Sequence, residues 1–331
     1  MRRRDFVRIA GAALVSAAAG GCARPRAAVP EGMAAAPPAA SVPLDASAFC
    51  AARRFARTRF GDIAYVEGGR GLAALFLHGF PLNGFQWRGA LDRLWPHRRC
   101  IAPDFLGLGY TEVAQGQDVG PDSQAAMLIA LLDHLAIDRV DLVASDSGGA
   151  VAQLLVARHP QRVRTLLLTN CDAETDSPPP ALLPVIELAK QGRFVDEWLG
   201  AWRADTALAR SPEGIGGMCY ENAQHPTDEA IEIYFAPLLA SARSKALTHE
   251  YAIALERNAL IGIQEHLRRS TVPARIVWGM ADNIFSPASP DYLDRSFGAS
   301  RGVRRLAGSK LFWPEERPDV IAEEAWRLWE A

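Results

Sequence analysis

RVDLVASDSGG, residues 139–149, runs on into AVAQLLVARHP, residues 150–160, and its reading decides the fold. Val140, Leu142 and Val143 form a short apolar run rich in β-branched residues. Ser147, Gly148 and Gly149 then open a helical spacing that stops before Pro160. The stretch therefore reads as strand, sharp turn and helix. The residue at the tip of such a turn, with small residues two before and two after, holds its side chain clear of the backbone near the helix N-terminus. Asp146 stands there, between Ala144 and Gly148. One register later the tip is Ser147, flanked by Ser145 and Gly149. An aspartate that only caps the helix is the plainer alternative.

Outward from this stretch, short apolar runs alternate with helical spacing. Residues 54–60 and 63–67, with Gly61-Asp62 between them, read as an antiparallel hairpin. Strands follow at 72–77, 100–103, 140–144, 163–169 and 274–278, separated by helices near 86–95, 121–136, 148–159 and 288–297. Repeated β-α-β units with right-handed crossovers build an α/β architecture, a mostly parallel sheet covered on both faces. Active sites of such sheets gather at the carboxyl ends of the strands. The motifs fall at those ends: His78-Gly79-Phe80-Pro81, the Asp104 to Thr111 loop, which is read as structural and not chemical, the turn at Asp146, and Gly279-Met280-Ala281-Asp282.

These motifs resemble the α/β-hydrolase superfamily over about residues 54–331. Its nucleophile elbow, Leu-Val-Gly-x-nucleophile-x-Gly-Gly, falls without a gap on Leu142 to Gly149 and puts Asp146 at the nucleophile position. An aspartate there resembles the epoxide hydrolase and haloalkane dehalogenase branch, whereas esterases and lipases carry serine. The resemblance implies a mostly parallel eight-stranded sheet with helices on both faces, split as a core of 54–172 and 270–331 around a helical cap, 173–269. It assigns Asp146 as nucleophile on a small apolar substrate and the backbone N–H groups of Phe80 and Ser147 as the oxyanion hole. Asp282 takes the position of the triad acid, which some relatives supply from the position of Asp172. It implies no metal and no organic cofactor.

The cap interval reads as helices at 181–190, 193–204, 228–240 and 242–260. Its aromatic residues, Phe194, Trp198, Trp202, Tyr220, Tyr234, Phe235 and Tyr251, are candidates for a substrate wall, most of them being ordinary core. By resemblance to epoxide hydrolases, Tyr220, Tyr234 or Tyr251 is a candidate donor to an opening epoxide oxygen. The HGFP form also looks more like epoxide hydrolases. Dehalogenases grip the leaving halide with a tryptophan just after the nucleophile, where this chain has Ser147.

The resemblance fails at its last motif. Relatives end in Gly-x-x-His-Phe-x-x-Glu-x-x-Pro, which falls without a gap on Gly308 to Pro318 and places Leu311 at the histidine position. All seven histidines precede Asp282, so no slip restores the base. A carboxylate with an ordinary pKa near 4 is ionised at neutral pH, so Asp146 is expected to attack without help. Hydrolysis of the resulting ester needs an activated water, and loss of a general base costs roughly 10²–10⁴ in rate. Three alternatives stand open. A base comes from elsewhere, His249, His225 or His266 of the cap or Lys310; or Asp146 acts as an acid or base without forming an ester; or the scaffold keeps its pocket for binding alone.

Residues 1–21 read as a twin-arginine export signal, with Arg2 to Arg4, an apolar Ala/Val/Leu middle and small residues at the end. This points to a periplasmic protein. Ala19-Gly20-Gly21-Cys22 looks like a degenerate lipoprotein box that would lipidate Cys22 and tether the protein to a membrane; the alternative is an ordinary cleavage site. Residues 22–53, rich in Ala and Pro at their start, read as a tether. The formal charge of −2 falls to −5 without the leader, and no basic stripe suggests nucleic acid. The five cysteines have no metal-ligand spacing.

Overall fold

The computed structural model describes residues 44–330, so the export signal, the first part of the tether and Cys22 lie outside the described residues. Nine strands form one sheet: β1 (Arg53–Thr58), β2 (Gly61–Gly68), β3 (Ala73–Leu77), β4 (Arg99–Pro103), β5 (Glu112–Val113), β6 (Val140–Asp146), β7 (Val163–Cys171), β8 (Ala274–Gly279) and β9 (Ser300–Leu306). Eight of them run in the order β1-β2-β4-β3-β6-β7-β8-β9, and the two-residue β5 pairs with β2 outside that row. Pairing is antiparallel from β1 to β4 and parallel from β4 to β9. Every residue of β3 and β6 is buried, as central strands covered on both faces require. Among the covering helices are α1 (Ala46–Ala51), α2 (Arg88–Leu94), α3 (Pro121–His134) and α4 (Ser147–Arg158).

The structure differs from the sequence reading at several points. The first turn is Arg59-Phe60 rather than Gly61-Asp62: Gly61 already pairs with Thr58 and, on its other edge, with Val113 of β5. A Cβ on Gly61 would lie 1.9 Å from the Glu112 carbonyl oxygen, so only glycine admits that third strand. The folded unit also starts before residue 54. Asp45 caps α1 by accepting the Ala48 N–H at 2.8 Å, and Phe49 is buried edge-on against Phe85 with ring centres 5.2 Å apart. The tether reading therefore ends by Leu44. Finally, β9 was not expected.

Between β7 and β8 the chain makes helices and adds no strand to the sheet, including Leu183–Lys190, Asp228–Leu239 and Ala242–Ala254. The helix expected over 193–204 is a π-turn, Val195–Gly200, running into Ala201–Ala204, and the last stops six residues short of 260. Cys50, Cys100, Cys171 and Cys219 are all free thiols.

A buried carboxylate ties this helical stretch to the sheet layer. Glu315 accepts hydrogen bonds from Tyr220 Oη at 3.0 Å and Tyr234 Oη at 2.7 Å, and pairs with Arg88 of α2 at 2.9 Å. Removing one member of such a pair leaves the other charge in a poorly hydrated place. Glu315→Gln is expected to destabilise the protein by roughly 3 kcal/mol, the low side of that class because the Arg88 side chain keeps 16% exposure. Denaturant unfolding of the two forms measures it.

Candidate active site

Asp146 closes β6 with φ 55° and ψ −133°, a backbone that side-chain-bearing residues rarely adopt, and Ser147 is already the first residue of α4. The tip of the turn is thus Asp146, and the register that would raise Ser147 is not adopted. The neighbouring glycines make the turn fit. A Cβ on Gly148 would lie 2.5 Å from the His78 carbonyl oxygen, and one on Gly149 would lie 2.3 Å from Cys171 Cβ. Gly79 likewise passes so close that a Cβ there would sit 2.7 Å from Asp146 Cβ.

The HGFP loop is fixed from below. His78 donates from Nδ1 to the Gly79 carbonyl at 2.9 Å and accepts the Phe105 N–H on Nε2 at 3.0 Å, while Gln86 Oε1 accepts the Gly79 N–H at 2.9 Å. Burial holds the imidazole neutral, its pKa lowered to about 4 against the pull of the Gly79 carbonyl. The Asp104 loop braces the same region, its carboxylate accepting the Gly84 and Tyr110 N–H groups at 2.9 Å each. As a result the N–H groups of both Phe80 and Ser147 point at the Asp146 carboxylate and donate to it.

Asp282 follows β8 and is held by a residue the sequence did not flag. Asn170, in β7, donates from Nδ2 to Asp282 Oδ2 at 2.8 Å and to the Gly279 carbonyl at 3.0 Å, and its Oδ1 accepts the Gly279 N–H and Trp313 Nε1. The other Asp282 oxygen accepts the Ile284 N–H at 2.9 Å. A polar amide near the end of an otherwise apolar strand was the available signal. Asp172 directly follows β7, and because β6 pairs Asp146 with Cys171, it emerges one residue beyond the partner of Asp146.

Three carboxylates therefore meet at one edge of the sheet. Burial first, then Asp172 and Asp282, push the Asp146 carboxyl well above the usual carboxylate range, against the N–H donors of Ser147 and Phe80. Burial also raises Asp172 to about 7 and Asp282 to about 6. The expectation that Asp146 keeps an ordinary pKa near 4 is corrected accordingly: burial and its two carboxylate neighbours hold it above the ordinary carboxylate range.

A cavity of about 100 Å³ opens over Asp146 and Asp172, walled by Phe80, Phe194, Trp198, Trp202, Leu311 and Phe312 among others. Leu311 is 2% exposed, and the loop carrying it is pinned by the Phe312 N–H on the Cys219 carbonyl and the Ala281 N–H on Ser309. None of the alternative bases lines this cavity. His249 Nε2 accepts the Val195 N–H, His225 stacks on Tyr220 with 5.7 Å between ring centres, His266 is exposed, and Lys310 Nζ donates to the Gly217 carbonyl. The three candidate tyrosines do not line it either. Tyr220 and Tyr234 spend their hydroxyls on Glu315, whereas Tyr251 stacks on Phe80 and its hydroxyl lies 3.1 Å from Ser147 Oγ. Of the aromatic residues between β7 and β8, Phe194, Trp198 and Trp202 reach the cavity; Phe235 packs behind Trp202.

The sheet order and the strand-turn-helix at Asp146 define an α/β-hydrolase. Residues 75–214 match the family model described as alpha/beta hydrolase fold. Haloalkane dehalogenase 2 of Mycobacterium tuberculosis is 25% identical over 275 residues, spanning 79% of this chain and 89% of that one. Haloalkane dehalogenase DbeA from Bradyrhizobium elkani superposes with a TM-score of 0.67 at 26% identity, over 83% of this chain and 96% of that one. Epoxide hydrolase CorEH shares the fold with a TM-score of 0.68 at 18% identity, over 84% and 98% of the two chains. The chain has the α/β-hydrolase fold, and its sequence is similar to haloalkane dehalogenases over most of its length.

Proposed function

We propose that the protein opens a small apolar electrophile, an epoxide or an alkyl halide, by attack of the Asp146 carboxylate, forming an ester on the enzyme that water then cleaves slowly. The observation that carries this reading is the position of Asp146. It stands on a strained turn, at the floor of an aromatic-walled cavity, with its carboxylate on the Phe80 and Ser147 amides. Those two amides stay in place to hold the oxyanion when water attacks the ester carbonyl. Asp282, anchored by Asn170, occupies the acid position without a histidine to orient. Leu311 presents an apolar wall where the base of relatives would stand, so the second step is the slower one. The leader over residues 1–21 supports a site of action outside the cytoplasm, and the box at Cys22 supports attachment to a membrane.

Intact-protein mass measurement during incubation with small epoxides and alkyl halides tests the reading. A covalent adduct is expected in the native protein and absent in Asp146→Asn. Its formation rate is expected to fall on acidification at a pH above the ordinary carboxylate range, because burial makes the attacking carboxylate take up its proton early. Neither adduct nor product from any electrophile would overturn the proposal and favour a ligand-binding protein on this scaffold, the reading that Leu311 supports.

A further inference from the structure

We infer that Asp172 is the base that activates water for cleavage of the Asp146 ester, in place of the histidine that Leu311 displaces. The inference rests on the ester-forming reading of Asp146 above. Among the described residues that line the cavity, Asp146 and Asp172 are the two with ionisable oxygen. Once Asp146 is esterified, Asp172 is the carboxylate left among the described residues that line the cavity.

Its backbone is held for that task. Gln153 Nε2, on the helix that follows Asp146, donates to the Asp172 carbonyl oxygen at 2.7 Å, and the same amide group donates to the Gly149 carbonyl at 3.2 Å. One side chain thereby fixes the position of Asp172 relative to the elbow. Asp282 is the rival carboxylate, but it does not line the cavity and both of its oxygens already accept hydrogen bonds, from Asn170 and from the Ile284 N–H. The histidines and Lys310 are engaged elsewhere or exposed, as described above.

The step balances without any other reactant. Water oxygen attacks Cγ of the ester while its proton passes to the Asp172 carboxylate, and the oxyanion that forms is held by the Phe80 and Ser147 amides. Collapse breaks the bond between Cγ and the alkoxy oxygen. The departing alkoxide takes the proton from Asp172, which returns to its carboxylate form and leaves Asp146 as a carboxylic acid.

Single-turnover kinetics on native protein, Asp172→Asn and Asp172→Ala separate this step from the first. Ester formation, followed by intact mass, is expected to persist in both variants, because removing the neighbouring negative charge makes Asp146 easier to ionise. Ester decay is expected to slow by at least roughly tenfold in both, within the range of a lost general base. A misfolded variant would lose formation as well as decay, and circular dichroism together with thermal unfolding identifies that case. Should Asp172→Asn fail to fold, Asp172→Ala and acid-quenched native protein at graded times still report the two rates. Decay at the native rate in a folded variant that forms the ester would overturn the role of Asp172 while leaving Asp146 as nucleophile. Absence of ester in the native protein would overturn both.

Discussion

Leu311→His is expected to speed cleavage of the Asp146 ester by roughly 10²–10⁴-fold, the contribution of a positioned general base. Leu311 already lines the cavity, on a loop pinned to the ends of neighbouring elements by the Phe312 and Ala281 amides. Leucine and histidine are close in volume, so the exchange opens no large void, and the new ring nitrogens need a hydrogen-bond partner at this buried position. Asp282 waits nearby as a buried carboxylate raised to about 6 by lack of solvent, a state in which a cationic imidazolium is favoured beside it. The gain should therefore vanish in the double variant Leu311→His/Asp282→Asn, where the ring loses its orienting partner. Rapid-quench measurement of ester decay reads both. An unchanged decay rate in a folded Leu311→His protein would mean that the missing histidine is not what limits the second step.

Asp172→Asn is expected to stabilise the fold at pH 8 by roughly 4 kcal/mol, since a pKa raised from near 4 to about 7 corresponds to about 1.4 kcal/mol per unit. The sign follows from proton uptake. Between about pH 4 and 7 the folded state keeps a proton on Asp172 that the unfolded chain has released, so stability falls as pH rises through that window and levels off above it. Asp282 adds a similar fall that ends near pH 6, and Asp146 adds another that extends higher than an ordinary carboxylate. Of the other groups close to this cluster, Cys171, Cys219 and Tyr251 stay neutral because burial raises all three, while Asp176 adds a further negative charge that raises Asp172 and Asp282. Thermal unfolding of the native protein is thus predicted to shift downward from pH 5 to pH 8, and Asp172→Asn to remove part of that shift. Equal pH dependence in the two proteins would contradict the buried, uncompensated state of Asp172. A site that costs stability is common where charge is held ready for chemistry.

Much of this arrangement was legible in the residues themselves. The central strands are uninterrupted apolar runs because both faces are covered, and the elbow announces itself through small residues that must let α4 approach β3 and β7 closely. Edge elements were harder. β9, SRGVRRL, buries only Leu306, and its three arginines hide the strand from a hydrophobicity reading. Helix α1 was obscured by the Ala/Pro-rich run before it, although Phe49 anchors it.

The site shows the same division. Asp146, Phe80 and Ser147 come together through short motifs, whereas the effects of distant residues on one another do not. Nothing local marks Tyr220 and Tyr234 as spent on Glu315, a residue some 80 to 95 positions away. The rise in the Asp146 pKa comes first from burial and then from Asp172 and Asp282, which arrive from two other strand ends. Asn170 acquires meaning only when β8 lies beside β7.

The central claim, that Asp146 itself takes the substrate carbon, is tested most directly by locating the adduct. Native protein is quenched in acid during reaction with a small alkyl halide, digested, and the modified peptide fragmented. The account predicts the added mass on Asp146, within the peptide that carries Ser145 to Gly149. An added mass on Ser147, on Cys219 in the cavity wall, or on Asp172 would contradict it.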